Sequence, residues 1–290
     1  MYLIQTLDKP WQDWIRGNAA RGCTKEAMLK DMLKAGIAEQ TAAFNLAAYS
    51  ARLTNGVAKP IISTAASKNS YQQEASYLFQ HENNIVTSDG QIMRVAMRVA
   101  APDIVVLNNF MTHDECDELC EQSKSTLTKS TVVDDATGSS VNHAHRSSQG
   151  TYFAIGQTAL VQKIEARISE ITSTPVNNGE GIQILNYVGG GEYRPHFDYF
   201  PDNEGGRVHT AKSGQRIITV IMYLNNVTAG GATIFPNINL NIYPKKGSAL
   251  YFSYYNSLGQ TDANTLHGGA PVLAGEKWIA TKWIHEHEYR

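Results

Sequence analysis

The stretch "YRPHFDYF", residues 193–200, combines aromatic side chains with a histidine and an aspartate placed two positions apart. On a β-strand, residues i and i+2 point to the same face of the sheet. His196 and Asp198 are therefore predicted to project side by side from one strand. Such a pair has two interpretations, a structural hydrogen bond within a sheet or two ligands of a metal ion, and the surrounding sequence decides between them.

The sequence on both sides of this stretch is typical of β-structure. From Pro102 onward, short apolar runs are separated by glycine and proline. The runs are "DIVVL", "IQILNYV", "QRIITVIMYLNNV", "ATIFP", "GSALYFSYY" and "EKWIATKWIHEHEY". Short strands with turn signals at near-regular spacing predict an antiparallel sandwich or jelly roll. A helix is predicted over "MTHDECDELCEQSK", with Thr112 as its N-cap.

The region from residue 8 to about residue 55 is alanine-rich and has helical periodicity. Thr24 is the predicted N-cap of "KEAMLKDMLKAG", and Gly36 is its predicted stop. A second helix is predicted over "AEQTAAFNLAAYSARL", and Trp11 and Trp14 indicate an earlier one. This region is predicted either to pack against the main domain or to form a dimer or partner surface.

Residues 56–100 mix polar residues with short apolar runs and are predicted to be a connector. A helix is predicted around "YQQEASYLFQH" and a strand near "QIMRVAMRV". The predicted organisation is therefore an N-terminal helical region with connector over residues 1–100, followed by a β-rich domain over residues 101–290.

The composition excludes several classes of function. The chain has 290 residues and a net charge of -2, which gives no basic surface for nucleic acid. No apolar run is long enough to span a membrane, and the first residues do not form a signal peptide. The odd set of cysteines, Cys23, Cys116 and Cys120, is predicted to be reduced and structural, which favours a cytoplasmic location.

Two histidines and one carboxylate on a shared face are typical of non-haem Fe(II) oxygenases. The candidates for a second histidine are His209, His267, His285 and His287. His209 lies in "DNEGGRVHTAKSGQ", which is predicted to be a mobile polar loop, and the last two lie close to residue 290. His267 is the favoured candidate, because a strand is predicted to begin there after a loop.

Such a centre leaves coordination positions for a 2-oxo acid and for O2. The distal carboxylate of a 2-oxo acid needs a buried cation, and Lys277 lies ten residues after His267. The hydroxyl groups of Tyr187 and Thr233 are further candidate donors to that carboxylate.

These motifs give the chain a specific resemblance. The segments that carry it are "NNFMTHDECDEL", "RSSQGTYF", "QILNYVGGGEYRPHFDYF", "QRIITVIMYLNNVTAGGATIFP", "YPKKGSALYF" and "TLHGGAPVLAGEKWIATKW". From about Pro102 to Glu286 the chain resembles the prolyl 4-hydroxylase family of Fe(II)/2-oxoglutarate-dependent dioxygenases, of a bacterial type with an N-terminal helical extension. The resemblance implies a mainly β fold with flanking helices, built on a double-stranded β-helix (jelly-roll) core.

The resemblance also implies a role for individual residues. It implies iron ligands at His196, Asp198 and His267, and a 2-oxoglutarate site at Lys277, Tyr187 and Thr233. It implies substrate-groove positions at Tyr193, Arg216 and Trp283, and a flap position at Arg146. Arg216 has an alternative interpretation as the surface partner of Asp202 or Glu204. The implied cofactors are Fe(II), 2-oxoglutarate and O2, with ascorbate as reductant.

The predicted activity is Fe(II)- and 2-oxoglutarate-dependent hydroxylation of prolyl residues in a peptide or protein, with release of succinate and CO2. Two alternatives stay open from the sequence. One is hydroxylation of a free amino acid or small biosynthetic intermediate. The other is a peptide-binding module without catalysis, against which the presence of all three candidate ligands and of Lys277 argues.

Overall fold

The computed structural model describes residues 7, 9–20, 23–38, 41–42, 46, 71–74, 76–80, 84–129, 132–133, 140–141 and 148–290. By packing, the chain divides into two compact units, Met1–Ser70 and Tyr71–Arg290. No helix within the described ranges is both long enough and apolar enough to cross a membrane.

The first unit contains helices α1 (Lys9–Ala20) and α2 (Lys25–Lys34). The predicted N-cap of α2 is confirmed, because the Thr24 hydroxyl accepts a hydrogen bond from the Ala27 amide at 3.2 Å. The helix ends two residues before Gly36, whose φ of 84° breaks helical geometry. Of the helix predicted from Ala38 onward, residues 38, 41, 42 and 46 are described; Ala38 lies outside a helix and the other three are helical.

The second unit is built mainly from strands. In chain order these are β1 (Asn84–Val86), β2 (Ile92–Val99), β3 (Asp103–Asn108), β4 (Thr128–Lys129), β5 (Val132–Val133), β6 (Ser140–Val141), β7 (Ser148–Phe153), β8 (Ile182–Tyr187), β9 (Tyr193–His196), β10 (Arg216–Tyr223), β11 (Ala229–Gly230), β12 (Thr233–Phe235), β13 (Leu240–Ile242), β14 (Ala249–Ser253), β15 (His267–Gly269), β16 (Val272–Ala274) and β17 (Lys277–His285). The helices are α3 (His113–Lys124), α4 (Ala159–Thr172) and α5 (Glu204–Ser213), with 3₁₀ turns at Tyr77–Gln80, Val176–Asn178, Pro236–Ile238 and Ala263–Thr265.

Two antiparallel sheets form the centre of this unit. The larger has nine strands in the order β1-β2-β3-β14-β10-β17-β8-β7-β4, and the smaller has the order β13-β12-β15-β9. Two further strand pairs, β11-β16 and β5-β6, complete the described β-structure. The predicted jelly-roll core is confirmed, since strands distant in sequence alternate as neighbours within two facing sheets.

Side-chain alternation along β10 shows how the two faces of the large sheet differ. Val220 and Met222 join a core cluster that includes Leu119 of α3 and Ile164 of α4. The intervening residues point the other way, and Ile221 joins a second cluster that includes residues of the small sheet. The large sheet is thus covered by helices on one face and by the small sheet on the other.

The helix predicted over "MTHDECDELCEQSK" is confirmed together with its cap. The Thr112 hydroxyl accepts from the Glu115 amide, and the Glu115 carboxylate accepts from the Thr112 amide, which is a complete capping box. The same carboxylate binds the guanidinium of Arg167 at 2.7 and 2.8 Å. Because Arg167 is almost fully buried, this ion pair ties α3 to α4 across the covered face of the large sheet.

The predicted connector differs from the structure in two respects. The predicted strand exists as β2, but it pairs with β3 and extends the large sheet. The helix predicted around residues 71–81 is described only as a single 3₁₀ turn, Tyr77–Gln80. The predicted domain boundary, between residues 100 and 101, comes directly after the end of β2 in the chain. The boundary between the two compact units lies earlier, between Ser70 and Tyr71.

The prediction of a mobile loop around His209 is wrong. Residues 204–213 form α5, because the Asn203 side chain caps the helix by accepting from the Gly206 amide at 2.8 Å. The carbonyl oxygen of Pro201 lies so close to Gly206 that a side chain would collide with it. Glycine at this position therefore permits the first turn of α5. The polar character of the segment had suggested a loop instead.

One buried carboxyl group makes the stability of the second unit depend on pH. Burial raises the pKa of Asp103, at the start of β3, to about 6. An unfolded chain has the usual aspartate pKa near ~3.9, so the folded state binds the proton more tightly between these values. The energetic cost of the buried charge is absent below about pH 4 and present in full above about pH 6.

We expect Asp103→Asn to stabilise the protein above pH 7 by roughly 3 kcal/mol and to leave stability nearly unchanged at pH 4. Chemical unfolding followed at pH 4, 5.5 and 8 measures this difference. Asp202→Asn, at an exposed position, is the matched control and should show no such pH dependence. An equal effect of Asp103→Asn at all three pH values would contradict the assignment.

Candidate active site

A cavity opens between the two sheets of the second unit. Its walls combine polar and apolar side chains of both sheets, namely Gln183, Leu185, Tyr187, Tyr193, His196, Asp198, Ile221, Thr233, His267, Lys277, Ile279, Thr281 and Trp283, with Gly268 and Gly269. The large sheet contributes the residues of β8, β10 and β17, and the small sheet contributes those of β9, β12 and β15. The cavity therefore brings together three segments far apart in the sequence.

The three predicted metal ligands meet at this cavity. Nε2 of His196 lies 3.5 Å from Asp198 Oδ1, and Nε2 of His267 lies 3.4 Å from Asp198 Oδ2. One ligand atom of each residue lies within 4.8 Å of the other two. In the part of the chain that the structure describes, this is the one group of three or more such side chains that could hold a metal ion.

The backbone fixes which nitrogen of each histidine faces the other ligands. Nδ1 of His196 lies 2.9 Å from the carbonyl oxygen of Arg194, and Nδ1 of His267 lies 3.0 Å from that of Thr265. A carbonyl oxygen only accepts, so each Nδ1 carries the proton and donates it. In the neutral tautomer that this contact selects, each Nε2 carries a lone pair, which is the form that binds a metal.

Asp198 is buried and ionised. Burial alone would raise the pKa of its carboxyl, but the His267 and His196 rings and the guanidinium of Arg216 outweigh burial and hold that pKa well below its usual range. The Thr219 hydroxyl donates to Asp198 Oδ2 at 2.7 Å and orients the carboxylate. For His267 the effect of burial has the opposite sign: it lowers the pKa of the ring to about 4, so the ring is neutral at neutral pH.

A β-bulge places Tyr193 on the same side as His196, although three positions separate them. In the pairing of β9 with β15, His196 lies opposite His267 and Tyr193 lies opposite Gly269, so three steps on one strand match two on the other. The Tyr193 ring stacks on the His196 ring with centroids 3.8 Å apart. Tyr193 thereby covers one face of a candidate ligand and lines the cavity.

Lys277 forms a buried positive end of the cavity. Its side chain is almost fully buried, and burial lowers the pKa of its ammonium group to about 8. No carboxylate of the described residues forms an ion pair with it. A buried ammonium without a counter-ion is costly, so this position suits an incoming carboxylate.

The two hydroxyl-bearing residues predicted to act with Lys277, Tyr187 and Thr233, line the same cavity. Tyr187 is its cross-strand partner, and Nζ of Lys277 lies 5.8 Å from the centroid of the Tyr187 ring. Thr233 is buried on the facing sheet, where its hydroxyl accepts from the Tyr223 phenol at 2.8 Å. Two residues further along β17, Ile279 pairs with Leu185 of β8, and both apolar side chains line the cavity.

The interpretation of Arg216 as the surface partner of Asp202 or Glu204 is wrong. Its guanidinium forms an ion pair with Glu180 and donates to the carbonyl oxygen of Asp198 at 3.3 Å. The guanidinium carbon lies 4.7 Å from the centre of the Phe200 ring and 4.2 Å from the Trp283 ring. Asp202 instead pairs with Arg207 of α5.

The other candidate histidines are placed away from the triad. His285 pairs with Glu180 at 2.9 Å, His209 stacks on Phe200, and His287 is exposed. Trp283 and Thr281 both line the cavity, as the alternation of β17 predicts. Arg146 lies outside the described residues.

Sequence reasoning missed the residues that orient the site. Thr219 was not singled out, although it is the polar residue between inward-facing apolar neighbours on β10. Glu180 and His285 were not linked to Arg216, because their pairing depends on a contact between β17 and the turn before β8. A buried polar position on an otherwise apolar strand face is the signal that points to Thr219.

Known proteins are similar to this chain in sequence. A model of the 2OG-Fe(II) oxygenase superfamily matches residues 182–285. Prolyl 4-hydroxylase 5 of Arabidopsis thaliana is 43% identical over 208 residues, which cover 65% of this chain and 70% of that protein. The chain belongs to the prolyl 4-hydroxylase family of 2OG-Fe(II) oxygenases. Prolyl 4-hydroxylase 2 of the same plant is 37% identical over 232 residues, which cover 72% of this oxygenase and 76% of that protein.

A solved structure agrees with the fold of this oxygenase. The crystal structure of a viral collagen prolyl hydroxylase from Paramecium bursaria Chlorella virus 1, as a 2OG complex, superposes with a TM-score of 0.51 at 28% identity. The superposition covers 63% of this chain and 95% of the viral protein. The bacterial subtype predicted from the sequence stays a prediction.

The oxygenase is therefore a 2-oxoglutarate-dependent dioxygenase that uses Fe(II), 2-oxoglutarate and O2. Its cavity fits those groups. Two neutral imidazoles and one ionised carboxylate are donors that suit Fe(II) in this superfamily, and an unpaired buried ammonium suits a dicarboxylate cosubstrate.

We expect the affinity for 2-oxoglutarate to fall as the pH rises above 8, because the free Lys277 ammonium has a pKa of about 8 and only its charged form attracts a carboxylate. The decrease should approach about tenfold per pH unit well above that value. Titration calorimetry with Mn(II) in place of Fe(II), between pH 7 and pH 9.5, measures this change.

Lys277→Met should lose most of the affinity at pH 7, and Lys277→Arg should bind with little pH dependence, since a guanidinium stays charged. Lys245→Met, at an exposed position, is the control and should retain the profile of the wild type. A flat profile for the wild type, with undiminished affinity in Lys277→Met, would remove Lys277 from the cosubstrate site.

Proposed function

We propose that this oxygenase hydroxylates prolyl residues in a peptide or protein. The observation that carries the proposal is the joint presence, in one cavity, of the His–Asp–His group and the unpaired Lys277 in a chain 43% identical to a prolyl 4-hydroxylase. In the overall reaction, a prolyl residue, O2 and 2-oxoglutarate are converted to a hydroxyprolyl residue, succinate and CO2.

His196, Asp198 and His267 are the proposed Fe(II) ligands. The bound metal, with 2-oxoglutarate and O2, supplies the oxidising power that the protein's own side chains lack. The part played by the chain is to hold both Nε2 atoms deprotonated, to keep the Asp198 carboxylate ionised, and to fix all three donors through backbone and Thr219 hydrogen bonds.

Lys277 is the proposed partner of the far carboxylate of 2-oxoglutarate, with Tyr187 and Thr233 as hydroxyl donors. The apolar pair Ile279 and Leu185 also lines this cavity and lowers its polarity near Lys277. In such a low-dielectric setting, the attraction between ammonium and carboxylate is stronger than it would be in solution.

Tyr193, Arg216 and Trp283 are the proposed substrate contacts. A guanidinium has five N–H donors, and the ion pair with Glu180 together with the bond to the Asp198 carbonyl leaves others for a peptide carbonyl. Trp283 and Tyr193 offer flat apolar surface of the kind on which a proline ring packs. The flap role of Arg146 stays a prediction.

The proposed catalytic domain is Tyr71–Arg290, with the helices of Met1–Ser70 as a dimer or partner element. The three cysteines are free thiols, which supports the proposal of a reducing, cytoplasmic location. Cell fractionation tests the location, and light scattering of the full chain tests the dimer. Recovery in an oxidising compartment, or a monomer at all concentrations, would contradict the respective proposal.

We expect mass gains of 16 Da, about the mass of one oxygen atom, on proline-rich peptides incubated with Fe(II), ascorbate and 2-oxoglutarate, with succinate formed in equal amount. His196→Ala should abolish both products, because it removes one of three ligands. His287→Ala, at an exposed position, is the matched control and should retain full turnover.

Two results would redirect the proposal. Turnover of a free amino acid without any peptide product would favour the small-molecule alternative. Succinate formation that is equal in the wild type and in His196→Ala, combined with tight peptide binding, would favour a peptide-binding module.

A further inference from the structure

A strap, defined here as residues 71–74 and 76–80 and ending in the 3₁₀ turn Tyr77–Gln80, contacts a loop at residues 254–262 that lies outside the cavity. The Gln72 amide donates to the side-chain oxygen of Gln260 at 2.9 Å. The Asn256 side-chain amide donates to the Gln72 carbonyl, also at 2.9 Å. Asn256 is buried and also accepts from the amides of Leu258 and Gln260, so the strap binds a structured part of the loop.

A carboxylate clamp adds to these contacts. The two oxygens of Glu74 accept from the Ser257 amide at 3.0 Å and from the Ser257 hydroxyl at 2.5 Å. These bonds lower the pKa of Glu74, which indicates that the charged form makes them. Leu78, at the other end of the strap, is fully buried in the core cluster beneath the large sheet. The strap is therefore fixed at both ends.

The first end of the loop reaches one proposed metal ligand. Tyr254 is fully buried, and its hydroxyl lies 3.1 Å from that of Thr219. Thr219 donates to Asp198 Oδ2 at 2.7 Å, so the Tyr254 hydroxyl is the donor to Thr219. Moving Tyr254 would thus disturb the hydroxyl that orients the carboxylate of Asp198.

The second end of the loop reaches another proposed ligand. The carbonyl oxygen of Asp262 accepts from the Thr265 hydroxyl at 2.6 Å, and its carboxylate accepts from the Asn264 amide at 2.9 Å. The turn fixed in this way presents the Thr265 carbonyl to Nδ1 of His267 at 3.0 Å. The Asp262 amide in turn donates to the Tyr254 carbonyl, which closes the loop at 2.8 Å.

We propose that the strap is a positioning element for the metal centre, which acts through the loop at residues 254–262. Gln72 and Glu74 bind the middle of the loop and thereby hold its two ends in fixed positions. One end orients Asp198 through Tyr254, and the other orients His267 through Thr265. Outer hydrogen bonds that orient metal ligands raise metal affinity, because the ligands then need no ordering when the ion binds. The inference rests on the proposed metal role of the triad.

The test compares metal affinity in two variants that lose chemically equal contacts. Glu74→Ala removes the clamp on Ser257. Glu170→Ala is the matched control, because Glu170 accepts from the amide and the hydroxyl of Ser88 in the same way, on a part of the surface not connected to the ligands. The dissociation constant for Mn(II) is measured by titration calorimetry, without cosubstrate or turnover.

We expect Glu74→Ala to weaken Mn(II) binding by about threefold to tenfold, less than a direct partner of a ligand would. Ser257→Ala, which loses one of the two bonds, should give a smaller change in the same direction. Glu170→Ala should bind Mn(II) like the wild type. Hydrogen exchange of the amides in residues 254–262 should increase in Glu74→Ala and stay unchanged in Glu170→Ala.

Equal Mn(II) affinity in Glu74→Ala and the wild type would overturn the proposal, whether or not hydrogen exchange in the loop increases. Equal weakening in Glu74→Ala and Glu170→Ala would also overturn it, since the effect would then be a general loss of stability. Failure of the wild type to bind Mn(II) would contradict the proposed metal role of the triad itself, and so is distinguishable from failure of the strap.

Discussion

The pairing of β9 with β15 is the constraint on which the candidate active site depends. It sets His196 directly opposite His267, and the bulge beside this pair returns Tyr193 to the same side. Because strand side chains alternate, a slip of one residue would replace His267 by glycine and leave two donors instead of three. Gly268 itself lies so close to the Tyr193 carbonyl that the two strands cannot carry a side chain there. Register, rather than any single hydrogen bond, therefore specifies the metal centre.

Each of the two sheets carries a different part of the candidate active site. The small sheet carries the histidines, whereas the large sheet carries Lys277 and its cross-strand neighbour Tyr187. The proposed metal end and the proposed carboxylate end of the cavity are consequently fixed by separate ladders of backbone hydrogen bonds. The distance between these ends depends on how the sheets pack, and the apolar cluster between them, which includes Phe235 and Phe252, sets that spacing.

Much of this arrangement was predictable, because the relevant signals are local. Strand alternation predicted that His196 and Asp198 lie side by side; the two side chains do meet, although Asp198 lies in a bend just after β9 rather than on the strand. The cap at Thr112 needed only helix chemistry. The helix at residues 204–213 was missed because the polar character of the segment suggested a loop, although Asn203 caps it. The ion pair between Arg216 and Glu180 could not be predicted from spacing, since it joins strand β10 to the turn before β8 through tertiary packing. The two-strand extension of the large sheet by β1 and β2 was missed for the same reason.

The register of β9 and β15 also has a consequence for the order of biogenesis. The two histidines stand in distant parts of the sequence, and long-range strand pairing is slow because chain entropy must be lost before the contacts form. An unfolded or half-folded chain offers at most the His196 and Asp198 pair, which holds an ion weakly. On the proposed ligand set, metal loading is therefore expected to follow completion of the jelly roll, and immature chains, whose oxidisable side chains are exposed, are expected not to retain a redox-active ion.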